Sequence, residues 1–288
     1  MQIVRTIAEL REARSRMSGR IGFVPTMGAL HAGHERLIRQ SVQENDATVV
    51  SIFVNPLQFG PQEDFDRYPR TEKEDVSLCE AAGVDLVFMP PVSAMYPDQP
   101  LVRVTVDPRL SGALCGAHRP GHFDGVAQAV TILFNLVRPT HAYFGEKDYQ
   151  QLLIIKRLVA DLSFDTTIVA VATVREPDGL ALSSRNRYLS PEERAKAPGL
   201  YRALLFCKER AEQARFDRIA LPIEKLEEEG RQFLLKEIPH AHIEYFEIRH
   251  ADTLERTRFV MNRSRLFAAI HLGTTRLIDN IALFDHTP

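Results

Sequence analysis

The sequence predicts an α/β protein: a Rossmann-like domain with a parallel sheet over residues 1–184, followed by a smaller α+β domain over 185–288. Three observations predict this. Short apolar runs rich in Val, Ile and Phe alternate with segments of helical periodicity through the first 175 residues. Several runs are apolar on both faces, as in Thr48-Val49-Val50-Ser51-Ile52-Phe53-Val54, which suits strands covered by helices on each side. The composition then turns charged and helix-prone. In order, strands are expected at 21–25, 48–54, 85–89, 101–106, 141–144 and 168–174, with helices at 35–44, 72–82, 126–137 and 149–162. A charged helical stretch covers 192–236, broken at Pro198, and alternating strands follow at 243–249, 265–272 and 276–280. Thr71 with Glu74 and Ser190 with Glu193 have capping-box spacing, and Pro191 suits a first helical position.

Composition narrows the class. Across 288 residues, 36 Lys and Arg stand against 38 Asp and Glu, for a net charge of −2. A protein that coats nucleic acid needs a basic surplus or stripe to neutralise phosphates, and none is present. Cys79, Cys115 and Cys207 are too few and too scattered for a disulfide framework or a zinc knuckle. No run approaches the roughly 18 apolar residues of a membrane span, and the N-terminal residues lack a signal-peptide core. The expected location is the cytoplasm, with no nucleic-acid or membrane partner.

Three segments carry chemistry. The first, Phe23 to His34, follows the first strand of the α/β region and enters a helix. Open sheets bind ligands at the carboxyl ends of their strands, where helix amides and the positive dipole end face an anion. Gly28 and Gly33 let a polyphosphate approach, and His31 and His34 add donors that could stabilise charge on it. Two His could instead form half of a metal site, but no third ligand can be placed. The second segment, Phe144 to Gln151, again joins strand to helix; Lys147 is a point charge for phosphate, and the Gln amides suit a small polar substrate. The third, Leu182-Ser183-Ser184-Arg185-Asn186, follows the turn-like Pro177-Asp178-Gly179 and offers two hydroxyls and a guanidinium from a loop. Composition alone would make it an ordinary interdomain loop.

In this order the segments resemble the pantothenate synthetase family, the pantoate:β-alanine ligases of the nucleotidyltransferase superfamily. The resemblance extends over Pro25 to Gly28 with His31 and His34, Ser51 to Pro56 with Gln58 and Phe59, and Leu114-Cys115-Gly116. It continues through Arg119 to Phe123, Phe144 to Gln151, Asp178 to Asn186, and Arg276 to Asn280. It implies a homodimer that uses ATP and Mg²⁺ to join pantoate to β-alanine through a pantoyl adenylate, releasing AMP and pyrophosphate. The C-terminal domain would close over the active site.

Carried over, Met27, Gly28, Ala29, Leu30, His31, Ala32, Gly33 and His34 would line the ATP site. His34 would be the proton donor, with His31 and Lys147 also catalytic. Gly145, Glu146, Lys147, Asp148, Val174, Leu182, Ser183, Ser184 and Arg185 would complete the ATP site. Gln58 and Gln151 would hold pantoate, with Gln58 also near β-alanine. No protein metal ligand is expected, Mg²⁺ being carried by the ATP phosphates. Gln128 and Ile132 depart from the Thr and Lys usual in the family. A cytidylyltransferase or a class I aminoacyl-tRNA synthetase would share the His motif. The first leaves Gln58 and Gln151 without a reason, and the second needs a basic RNA-binding region. A catalytically idle nucleotide-binding regulator is the rival from another class.

Overall fold

Six strands form a wholly parallel sheet: β1 (Gln2–Val4), β2 (Ile21–Thr26), β3 (Ala47–Ile52), β4 (Leu86–Phe88), β5 (His141–Gly145) and β6 (Thr167–Val171), in the order β1-β4-β3-β2-β5-β6. The structure, a computed structural model, describes residues 1–61 and 63–285. Both faces of the central strands are buried, and the period-2 geometry of a strand divides the side chains between them. Phe23, Val49, Leu86 and Phe88 enter one core, with Leu152 and Ile155 of helix Tyr149–Asp161 and Phe134 of helix His122–Val137. Val24, Val50, Val87 and Tyr143 enter the other, with Ile38 of helix Ala32–Glu44 and Cys79 of helix Glu72–Ala82.

The strand predicted at 101–106 does not form. Leu101 is 98% exposed and Val102 84% exposed. The amides of Val104 and Val106 donate instead to the side chains of Gln128 Oε1 (2.9 Å) and Asp124 Oδ1 (2.8 Å) on helix His122–Val137. Gln128 therefore anchors a neighbouring segment, which gives that departure from the family pattern a local packing role. Helix ends differ in part too. At Thr71 the side chain makes no capping bond; its hydroxyl donates to Asp75 Oδ1 at 3.1 Å. A reciprocal capping box forms instead at Thr6 and Glu9, which the sequence reading did not anticipate.

The chain divides into two units, Met1–Ser111 with Gly116–Val174, and Gly112–Cys115 with the residues from Arg175 onward. The sequence reading put the junction at 184/185. Residues 175–184 pack with the second unit because Arg175 pairs with both oxygens of Asp279 (2.6 and 2.9 Å) and stacks 3.7 Å over the Tyr201 ring. Leu180 also joins that unit's core.

The second unit carries an antiparallel sheet of β7 (His242–His250), β8 (Ser264–Leu272) and β9 (Thr275–Ala282), in that order. Phe246, Leu266 and Ile270 from the sheet share a core with Leu204, Cys207, Leu226 and Leu234 from helices Gly199–Phe216 and Ile223–Glu237. Pro198 does break the charged helical stretch, standing just before helix Gly199–Phe216. Ser190 caps helix Pro191–Lys196, its hydroxyl accepting from Glu193 N while Glu193 Oε2 accepts from Ser190 N. Ser190→Ala is expected to cost about 1 kcal/mol of stability, read as a lower urea midpoint with an unchanged slope.

Candidate active site

Strand order reverses between β2 and β5, and the two strands pair only at Gly22↔His141 and Phe23↔Ala142. Beyond these pairs they diverge, whereas β2 stays paired with β3 up to Thr26↔Ile52. A parallel sheet that parts in this way opens a crevice at its carboxyl edge, the usual ligand position in doubly wound folds. Gln58 ends a short 3₁₀ turn after β3, Met27 to His31 follow β2 and lead into Ala32 to His34 at the start of helix Ala32–Glu44, and Gly145 ends β5 with Glu146 to Asp148 in the 3₁₀ turn after it. Val174 follows β6, and Gln151 sits in the first turn of helix Tyr149–Asp161. Every candidate of the first unit thus lies at or beyond the carboxyl end of a strand. Leu182 to Arg185 belong to the second unit, where Ser183 Oγ accepts from Arg185 N at 3.3 Å to start a short 3₁₀ turn.

His31 and His34 meet with ring centroids 4.2 Å apart. His31 is the N-cap of helix Ala32–Glu44, and its Nδ1 accepts from Gly33 N at 3.1 Å. With Nδ1 acting as acceptor, the proton of the neutral ring sits on Nε2, which becomes a donor. His34 Nδ1 is buried and has no hydrogen-bond partner. The His34 pKa is lowered to about 3, chiefly by burial and then by the neighbouring His31; Asp148 pulls it up and Lys147 pushes it down. His34 is therefore neutral at pH 7 in the free protein. Lys147 and Asp148 form an ion pair at 3.9 Å in the 3₁₀ turn after β5.

The turn before the histidines is held from within. Gly28 (φ +80°) and Ala29 (φ +50°) are both left-handed. Gly28 N donates to Thr26 Oγ1 (3.2 Å), and Ala29 N and Leu30 N donate to the two carboxylate oxygens of Asp75 (2.9 and 2.7 Å). A Cβ at Gly28 would meet Asp75 Oδ2 at 2.9 Å and Ile52 Cγ2 at 3.0 Å. Gly28 thus answers to the turn and its packing, where the sequence reading gave it to a ligand's approach. The amides of residues 28 to 30 face inward.

Gln58 is held by a second network. Asn55, 2% exposed, donates from Nδ2 to Gln58 Oε1 (3.0 Å) and Gly125 O (2.9 Å), while its Oδ1 accepts from Leu57 N (3.2 Å) and Tyr96 OH (2.9 Å). With Oε1 engaged, the Gln58 amide turns its Nε2 toward Met27 Sδ at 2.9 Å and presents N–H donors. Helix His122–Val137 can approach this turn only because position 125 is Gly, where a Cβ would lie 2.2 Å from Leu57 O. His122 Nδ1 lies 2.8 Å from Gln58 O, and its Nε2 3.1 Å from Arg119, which also pairs with Glu63. Burial first, and then the Arg119 charge, lower the His122 pKa to about 4.

Sequence reasoning missed Asp75, Asn55 and Tyr96 as parts of this site. Asp75 did leave a signal: the buried stripe of its helix is Asp75, Cys79 and Ala82, an acid on an otherwise apolar face. All three cysteines are free and buried, and burial pushes the Cys79 and Cys207 thiols up to about 12, which suits no nucleophile. Among the described residues, no group of three or more His, Cys, Asp or Glu side chains is gathered as for a metal ion. No helix among them is long and apolar enough to cross a membrane.

A parallel sheet with two adjacent imidazoles and a lysine at its switch point is the arrangement of an α/β protein of nucleotidyltransferase type. The sequence model described as Pantoate-beta-alanine ligase matches residues 2–282, and the chain belongs to that family. It is 51% identical to a bifunctional pantoate ligase/cytidylate kinase of Synechococcus elongatus over 97% of this chain and 52% of that one, so it spans about half of that relative's length. A crystal structure of pantothenate synthetase from Thermus thermophilus superposes with a TM-score of 0.91 at 48% identity, covering 99% of this chain and 100% of that one. The pantoate-beta-alanine ligase of Francisella tularensis, solved with β,γ-ATP and β-alanine, gives a TM-score of 0.79 at 35% identity over 98% of each chain.

Proposed function

We propose that this chain joins pantoate to β-alanine with ATP, giving pantothenate, AMP and pyrophosphate through a pantoyl adenylate. The observation that carries this reading is the His31–His34 pair, with Lys147 acting on His34, at the crevice where β2 and β5 part. A free carboxylate acylates an amine poorly because its leaving group would be oxide. Attack of the pantoate carboxylate on the α-phosphorus of ATP replaces that leaving group with AMP. Negative charge then grows on the α-phosphate and on departing pyrophosphate. His31 Nε2–H, His34 and Lys147 are donors suited to that charge, and in a dry cleft such preorganised donors count most.

Gln58, its amide oriented by Asn55, offers N–H groups to pantoate, and Gln151 is the second pantoate ligand of this reading. The β-alanine amine then attacks the adenylate carbonyl, and no enzyme nucleophile is required. Mg²⁺ enters this reading as a companion of the nucleotide, since this ion is commonly bound through substrate phosphates. Bound there, it would neutralise phosphate charge. By family resemblance, Val174 and Leu182 to Arg185 complete the ATP site, and the enzyme is a cytoplasmic homodimer.

Labelled pyrophosphate tests the reading. Its exchange into ATP is expected to require pantoate and to proceed without β-alanine, while net AMP formation requires both. Exchange that ignores pantoate would refute the adenylate route, and nucleotide binding without AMP would leave only a regulator.

A further inference from the structure

We propose that Asp75 is a positioning residue for adenylation, holding the left-handed turn that delivers His31 and His34 to the nucleotide; this rests on the ligase reading above. Successive backbone N–H groups in a turn can point to one side and form a concavity that ordinarily takes an anion. Here the anion is the chain's own Asp75, 1% exposed, which receives Ala29 N, Leu30 N and the Thr71 hydroxyl. Ala29 at φ +50° is disfavoured without a Gly's freedom, so something outside the turn must hold it.

The next residue after these amides is His31, whose backbone starts the helix and whose Nδ1 takes Gly33 N. Shifting the turn therefore shifts both imidazoles. Asp75 does this without a free oxygen to spare for substrate: three donors converge on its two oxygens. Phosphates must then meet side chains and the amides left open in the first turn of helix Ala32–Glu44, because those of Gly28, Ala29, Leu30 and Gly33 are already engaged.

Asp75→Asn tests this. Asn keeps the volume but has one acceptor oxygen, so its NH₂ would face a backbone N–H and the turn would move. Expected is a fall of at least about tenfold in kcat/KM for ATP, with KM for pantoate changed by less than about threefold, because Gln58 is oriented by Asn55 from outside the turn and meets it only through Met27 Sδ. Thr71→Val, which removes one donor and keeps the carboxylate, is expected to shift the ATP parameters about two- to fivefold in the same direction. Hydrogen exchange should show the Ala29 and Leu30 amides protected in the free enzyme, unchanged on adding ATP, and exposed in Asp75→Asn.

ATP parameters within twofold of wild type in a folded Asp75→Asn chain would overturn the proposal. Should that variant not fold, Thr71→Val decides alone: an ATP-selective loss supports the proposal and no change overturns it. If wild type forms no AMP, the ligase reading fails, and calorimetric ATP affinity still decides the role of Asp75. Binding at least fivefold weaker in the variants supports it, and equal binding overturns it.

Discussion

His34→Ala is expected to lower pantoate-dependent exchange of pyrophosphate into ATP by about 100-fold or more, while the chain stays folded. The fold should tolerate the change because the buried Nδ1 has no partner, so truncation removes an unsatisfied group and breaks no bond. The rate should not tolerate it, because a donor beside the departing phosphates is lost. At a pKa of about 3 the free enzyme's imidazole is neutral at pH 7, keeping one N–H to donate in a hydrogen bond and no acidic imidazolium proton. It can act as an acid only if the triphosphate raises that value by an opposing charge. His34→Gln separates the roles. A neutral amide that recovers part of the lost rate points to charge stabilisation by an N–H donor, and one as slow as Ala points to proton transfer. Activity of His34→Ala within threefold of wild type would remove His34 from the mechanism altogether.

The second large effect is acid destabilisation between pH 6.5 and about 4.5. His34 and His122 have folded values near 3 and 4, below the 6.5 of the unfolded chain. The unfolded state therefore binds more protons in this window, and stability rises with pH. Each group opposes folding more strongly with each pH unit below 6.5 until its folded value is reached, so two units cost the pair on the order of a few kcal/mol. That is a large part of the stability of an ordinary domain. The lowered carboxylates work in a different range: the Asp178 and Glu63 contributions persist above their ordinary values and are lost only as pH falls through their depressed ones. Urea melts from pH 7 to 4.5 should thus fall steeply, and His122→Asn should flatten the slope by roughly half. A flat profile in wild type would contradict the lowered values of both imidazoles. Saturating ATP is expected to shrink the loss by returning a proton to His34.

Much of the α/β architecture was readable because β2, β3 and β4 bury both faces and so leave unbroken apolar runs. β1 was not, since only Val4 of its three residues is buried and no pattern survives in so short a strand. Residues 101–106 misled because they alternate like a strand, while the partners for the Val104 and Val106 amides are side chains distant in sequence. In the site, His31, His34 and Lys147 could be picked out by type and by their place after apolar runs. Asp75 and Asn55 could not be assigned, because their partners at 29–30 and 125 are brought to them only by the fold. The Thr71–Glu74 spacing further disguised the first of these as routine helix capping.

The four residues Gly112–Cys115 leave the first unit's sequence to pack with the second, where Cys115 Sγ lies 3.2 Å from an Arg276 nitrogen already paired with Glu244. Neither unit is therefore one uninterrupted stretch of gene. A fragment cut at 174/175 would carry away the thiol that Arg276 contacts and leave Gly112–Cys115 stranded on the other piece. Expression of separate halves, permutation or domain exchange must move that tetrapeptide with the C-terminal portion. During synthesis, too, the second unit completes itself with residues made well before most of it.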